Sequence, residues 1–300
     1  MFTEDEVEKL RKAGKIASEV RRWTENFVKE GMKVIEVCEA VEAEIRKRGG
    51  EPAFPCNVDI NEVGAHYTSP PNDKTVIPKN SIVKVDIGVH VDGYIADTAT
   101  TICFNYELSN LKEAVEEALT VAVKTVKAGV KVSRIGEVIQ ATIERYGLKP
   151  IRNLTGHEIG RFTIHGGAHI PNVGSLNGYK IEEGKVYAIE PFATTAEGEG
   201  EIEENGVGFI YRILKEKPPK SGEEKVLFKK LKENFKTLPF ALRWALKVSP
   251  TEDFYEVFGR LVKARYVFSY PILVEKRKQP IAQAEHTLIV LRDRVEVTTL

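Results

Sequence analysis

The segment Asp86-Ile-Gly-Val-His-Val-Asp-Gly-Tyr-Ile-Ala-Asp97 reads as a hairpin that holds two carboxylates side by side. Ile82-Val-Lys-Val85 before it and Tyr94-Ile-Ala96 after it have strand composition. Asp92-Gly93 between them suits a two-residue type I′ turn, whose central residues both need positive φ. With that turn Val91 faces Tyr94 and Gly88 faces Asp97, so Asp86 lies on the face of Asp97 as its diagonal neighbour. Two unpaired acids on a half-buried face repel each other and are costly to desolvate, which asks for a cation between them. The alternative is a pair of solvated acids on an exposed hairpin. His157, Glu190 and Glu285 offer further ligand chemistry in expected strand or loop settings. Four carboxylates with one imidazole would favour hard or borderline divalent ions such as Mn, Fe or Co over a Cys/His zinc site, and carry charge enough for two of them. Such a pair acidifies water into a nucleophile near neutral pH, the chemistry of metal-assisted hydrolysis.

These side chains meet only if the chain brings two halves together, and an internal repeat suggests that it does. Residues 4–29 and 34–48 read as amphipathic helices, and 107–128 with 133–146 form a second such pair. Gly31, Lys33, Val34, Glu39, Ala43, Ile45 and Gly49 recur without gaps as Gly129, Lys131, Val132, Glu137, Ala141, Ile143 and Gly147. Ser81-Ile-Val-Lys-Val-Asp86 parallels Lys185-Val-Tyr-Ala-Ile-Glu190, which makes Glu190 the mate of Asp86. Glu285, on the strand 281–290, would come from the strand corresponding to that of Asp97. A repeat this long points to a duplicated α+β half with pseudo-two-fold symmetry, although amphipathic composition alone can mimic such a match. After a Gly/Glu-rich loop, 196–206, the composition changes: 222–235, 238–247 and 252–265 have helical spacing, and 266–270 reads as a short strand. The expected organisation is therefore one catalytic unit, 1–200 and 271–300, with a helical, winged-helix-like insertion at 201–270.

Bulk properties narrow the function. With 44 basic and 44 acidic residues there is no net field to favour nucleic acid or a membrane surface, and no apolar run approaches a membrane span. The N-terminus is acidic and helical, unlike a signal peptide. Cys38, Cys56 and Cys103 are odd in number and far apart, which fits reduced packing residues in a cytoplasmic protein. A charged fraction of 29%, rich in Lys and Glu, leans towards a thermophile.

The ordered set Asp86, Asp97, His157, Glu190 and Glu285 resembles the five ligands of the pita-bread metallopeptidases. Within that family the chain is most similar to the type 2 methionine aminopeptidases, in their archaeal form. The motifs that carry the likeness are Phe54-Pro-Cys-Asn57, Ala65-His-Tyr-Thr68, Gly156-His157-Glu-Ile-Gly, Ile164-His165-Gly-Gly, Pro191-Phe-Ala193, Leu238-Pro-Phe-Ala-Leu-Arg-Trp244 and Gln283-Ala-Glu285-His-Thr287, with the helical insertion itself. The resemblance implies a duplicated pita-bread fold and removal of the initiator methionine from nascent chains with a small second residue. It implies two divalent ions, Co, Mn or Fe with Zn as an alternative. Asp97 and Glu285 would bridge them, Asp86 would chelate one, and His157 with Glu190 would complete the other. Glu285, or Glu190 beside it, would take the proton from water; His66 and His165 would bind the scissile carbonyl or protonate the leaving amine. Phe54, Ile164 and Tyr270 would line the methionine pocket. A bulky Phe2 would leave this chain's own Met1 in place.

Some positions depart from that pattern or read more plainly. Ala284 stands where a bulky aromatic is expected, so one wall of the site would be reshaped. His90 shares the face of Asp86 and suits a supporting role, His286 points to the opposite face from Glu285, and His169 has no assigned role. The insertion is basic, through residues such as Lys225, Lys229, Lys230, Lys232, Lys236, Arg243, Lys247 and Arg260. This fits a solvated helical surface, or contact with ribosomal RNA. A monomer is expected, since both halves of the site lie in one chain. Two other functions compete: an X-Pro-cleaving peptidase, and a non-catalytic relative that binds RNA or protein, which would require broken ligands.

Overall fold

The computed structural model describes residues 2–176 and 178–300, so Met1 lies outside them. Helix α1 (Glu4–Phe27) starts at a capping box in which the Thr3 hydroxyl accepts from the Glu6 amide and the Glu6 carboxylate from the Thr3 amide. With α2 (Val34–Lys47) it covers the outer face of the hairpin formed by strands Ile82–Val91 and Tyr94–Cys103. Val83, Val85, Ile87 and Val89 pack into that helical core. The even-numbered residues, Asp86 among them, therefore face inward. The turn is as expected, with φ of 51° at Asp92 and 83° at Gly93, and the register pairs Gly88 with Asp97.

The second half repeats the first bond for bond. Helices α3 (Ser109–Thr125) and α4 (Val132–Arg145) bury a core that includes Leu111, Ile135, Ile139, Tyr187 and Leu288. Gly31 and Gly129 both adopt positive φ, 81° and 84°, and their amides donate to Ile77 O and Ile181 O at 2.8 Å each. The amides of Val34 and Val132 donate to Thr75 O and Tyr179 O, again at equal distances of 2.9 Å. Pro52 pairs with Val89 as Pro150 pairs with Ala193. The strands Lys185–Ile189 and His286–Val290 then take the place of the hairpin. The side chains differ within this frame: where His157 pairs with Ala188, the first half has Asp59 opposite Lys84, and both of these are fully buried.

The halves meet along Tyr94–Cys103, where threonine hydroxyls replace a regular ladder: Thr98 Oγ1 donates to the Glu285 carbonyl at 2.8 Å, and two others each bind both backbone groups of a residue across the seam. Thr287 Oγ1 accepts from the Asp97 amide (2.7 Å) and donates to the Asp97 carbonyl (2.8 Å). Thr101 Oγ1 does the same for Gln283, at 2.9 and 2.6 Å. These two clasps are symmetry mates, which makes Gln283, rather than Glu285, the counterpart of Asp97. Glu285 corresponds to Ala99, and its amide bonds the Ala99 carbonyl at 3.3 Å. The expected strand 281–290 is accordingly interrupted into Ile281–Gln283 and His286–Val290, because Ala284 and Glu285 turn their amides to Pro191 and Ala99.

The insertion has a core of its own. Strand Ile210–Ile213 pairs with Phe240–Ala241 and Val267–Tyr270, and α5 (Glu223–Phe235), α6 (Leu242–Val248) and α7 (Phe254–Lys263) close over Tyr211, Phe228, Phe240, Phe254 and Phe258. The helix expected from 238 begins at Leu242, since the open edge of Ile210–Ile213 captures the backbone of Phe240 and Ala241. Ahead of Ile210–Ile213, Ile202–Glu204 pairs with Leu273–Glu275, which pairs with Val63–Ala65.

Thr287→Val removes both bonds to the Asp97 backbone, and urea denaturation should show a loss of about 2 kcal/mol. Thr101→Val should cost a similar amount. Only the first should also weaken divalent-ion binding markedly, because it frees a candidate ligand rather than Gln283.

Candidate metal centre

The inward faces of both sheets converge on one cavity of about 230 Å³. The residues that the resemblance places in the site line it: Asp86, Asp97, His157, Glu190 and Glu285 at the floor, with Phe54, His66, Ile164, His165 and Tyr270 around them. Asp97 (3% exposed), His157 (5%) and Glu285 (1%) are buried, and one donor atom from each lies within 4.8 Å of the other two. His157 Nε2 is 3.6 Å from Asp97 Oδ2 and 3.4 Å from Glu190 Oε1. Asp86 enters from the hairpin, held by its cross-strand neighbour Asn57, whose Nδ2 donates to Asp86 Oδ2 at 3.5 Å.

The residues fit divalent ions on the evidence of their own unmet needs. Asp86 Oδ1, Asp97 Oδ1, both carboxylate oxygens of Glu285 and His157 Nδ1 are buried without a hydrogen-bond partner among the described residues. Orphaned oxygens of this kind, aimed at one point, are expensive unless a cation completes them. Burial is the main cause that raises these acids: Asp86 to about 7, and Asp97, Glu190 and Glu285 well above the ordinary carboxylate range. The charges of neighbouring carboxylates add to it at Asp97, Glu190 and Glu285. The contact between the two hairpin carboxyls pushes Asp97 further up. His157 is pushed the other way, down to about 4, by burial, which keeps its imidazole neutral and able to ligate.

His66 and His165 stand over these acids. The His165 ring is 4.7 Å from that of His157, and Tyr270 lies 5.4 Å from His66 and 6.1 Å from His165. Desolvation pushes both imidazoles down towards the neutral form, His165 with added repulsion from His157, His66 and Arg212. His66, at a φ of 71°, turns Nδ1 to the Pro271 carbonyl at 3.2 Å. A carbonyl only accepts, so Nδ1 carries the hydrogen and Nε2 is left as an acceptor.

Other expectations need correction. His90 does not support the ligands: its ring packs on Phe162 at 5.6 Å and its Nδ1 accepts from the Gly93 amide, in a separate groove. Ala284 does not form a wall of the cavity, because its side chain joins the core beneath α3 and α4. His286 points away as expected and meets Thr299 Oγ1 at 2.9 Å. His169 lies at the rim, 3.3 Å from Thr155 Oγ1. The sequence reading passed over Asn57, Ile210 and Pro239, which also line the cavity. Asn57 and Pro239 lie inside motifs already singled out; nothing in the pattern around Ile210 marks it.

Fold and centre together define a two-half metallohydrolase, and comparison with known proteins names its kind. The chain belongs to metallopeptidase family M24, which it matches over residues 8–214. It is 43% identical to the methionine aminopeptidase of Thermococcus kodakarensis over 98% of this chain and 100% of that protein. Among solved structures, it superposes on a methionine aminopeptidase from Thermotoga maritima with a TM-score of 0.71 at 22% identity, covering 99% of this chain and 98% of the other. A thermophilic Arx1 reaches 0.84 at 16% identity, covering 99% and 91%. At such identities the likeness speaks for the fold alone.

Divalent ions require the ionised carboxylates, so uptake should release protons and tighten as pH rises from about 6 to about 8. Calorimetry in buffers of different ionisation enthalpy measures both effects. A folded pKa raised from an ordinary carboxylate value to about 7 at Asp86 has a definite sign. Its contribution to the stability of the ion-free protein is present at acid pH and lost as pH rises through about 7.

Proposed function

We propose that this chain removes N-terminal methionine from peptides and nascent chains whose second residue is small, using two divalent ions held by Asp86, Asp97, His157, Glu190 and Glu285. The observation that carries this reading is the single cavity in which an acid-rich floor with orphaned oxygens meets an apolar lobe. Bound ions would supply an acidified water and Lewis-acid polarisation of a carbonyl. Phe54, Ile164 and Tyr270 would hold the methionine side chain, whose flexible thioether suits an irregular apolar slot. Glu285 or Glu190 would accept the proton from water. His66 Nε2, with its partner nitrogen tied to Pro271, would receive an N–H of the substrate. His165, its ring 4.7 Å from that of His157, would donate to the developing oxyanion.

The nature of the ions, Co, Mn or Fe, is left to experiment, as is a monomeric, cytoplasmic state. No helix among the described residues is long and apolar enough to cross a membrane. Contact with a ribosome through the insertion has less charge to draw on than the sequence suggests. Arg243 is buried against Glu42, Lys247 pairs with Glu39, and Arg260 pairs with Glu223, Glu224 and Glu256.

Metal-stripped protein resupplied with Mn or Co should release methionine from Met-Ala-Ser and nothing from Ala-Pro-Ser. Glu285→Gln should lower that rate by about a thousandfold. Release from the proline peptide alone would move the chain to the X-Pro reading. A β-carbon at Gly88 would come within 2.2 Å of the Phe54 ring. Gly88→Ala should therefore displace that wall and raise KM for the methionyl peptide about tenfold, with kcat changed less.

A further inference from the structure

The insertion supplies part of the cavity, through Ile210, Pro239 and Tyr270, so its seating on the catalytic halves helps to define the pocket. One buried cluster ties α6 of the insertion to the first half. Glu42 of α2 and Arg243 of α6 are each 3% exposed and form an ion pair through Arg243 Nη2 and Glu42 Oε1. Trp244 Nε1 donates to the other oxygen of Glu42 at 2.8 Å. Both residues also reach the two segments that carry pocket side chains. Glu42 Oε1 accepts from the Cys56 amide (3.2 Å), between Phe54 and Asn57. Arg243 Nη1 donates to Thr68 Oγ1 (2.9 Å) and to the Ser69 carbonyl (3.2 Å), just beyond His66. Thr68 closes the circuit by donating to the Cys56 carbonyl at 2.8 Å.

We propose that Arg243 and Glu42 are positioning residues for the methionine pocket: their ion pair sets the spacing between the Phe54 wall, the His66 segment and the insertion, and thereby the preference for methionine over other apolar side chains. Neither touches the cavity, so they act through Cys56, Thr68 and Ser69. A pair that served stability alone would be replaceable by neutral side chains of like volume, as buried ion pairs often are. A positioning pair would not, since a neutral substitute for Arg243 cannot hold Thr68 and Ser69 together.

The inference rests on the methionine-releasing activity, so native protein acting on Met-Ala-Ser is the control: silence there refutes the activity, not the pair. The test compares kcat/KM for Met-Ala-Ser and Leu-Ala-Ser alongside thermal melting. Arg243→Met alone leaves the Glu42 charge buried without a partner and should melt well below the native protein. Glu42→Gln with Arg243→Met removes both charges and keeps an acceptor for the Cys56 amide, so its melting temperature should recover. The methionine-to-leucine ratio of this double variant should nevertheless be lowered at least about fivefold, through KM more than kcat. A smaller change in that ratio, with stability recovered, would make the pair purely structural and overturn the proposal. If the double variant does not fold, Arg243→Lys, which keeps the charge but loses the forked reach to Thr68 and Ser69, is judged by the same threshold.

Discussion

Two threonine side chains make the centre of this molecule a single object. The sheets of the two halves each bury an outer face under helices and leave an inner face for chemistry, yet between them runs a seam with few backbone bonds. Thr287 grips both backbone groups of Asp97, and Thr101 grips those of Gln283. Each hydroxyl acts as donor and acceptor at once, so it fixes the position of its partner without adding volume to the seam. Asp97 is thereby fixed against the strand that continues from Glu285, and the ligand geometry is inherited from the clasp.

The floor of the cavity then sets an electrostatic demand that the protein does not meet by itself. Four acids and an imidazole crowded into one buried floor raise the cost of every charge they carry, and the upward shift of all four carboxyls is the sign of it. The apolar lobe above them is set by different means. It takes walls from both halves and from the insertion, and its dimensions follow from how firmly those three bodies are seated.

Much of this was legible in the residue pattern because it follows from local rules. Asp92-Gly93 dictates the turn, the turn dictates the register, and the register puts Asp86 and Asp97 on one face. The recurring glycines marked the duplication because each is needed at positive φ at the same point of both copies. What the pattern concealed depended on contacts between distant segments. The break at Ala284 and Glu285 arises because their amides turn to Pro191 and Ala99, and no run of apolar residues announces a change of partner. Phe240 and Ala241 suit a helix as well as a strand until the edge of Ile210–Ile213 decides between them. The helical charge count likewise overstated the free basic surface, since Arg243 and Arg260 face carboxylates that lie elsewhere in the chain.

The buried Asp59 and Lys84, opposite each other where the second half has His157 and Ala188, bear on the ancestry of the fold. Lys84 Nζ donates to the Asn61 carbonyl at 2.7 Å and Asp59 accepts from the Tyr67 amide at 2.8 Å, so the first half has two buried charged side chains in place of an imidazole. Two copies of this first half, associated as a homodimer, would have no imidazole at the position of His157. Two copies of the second would lack Asp86 and Asp97. The present set of side chains therefore needs the two halves to differ, and a single chain lets them differ while the shared backbone keeps them in register.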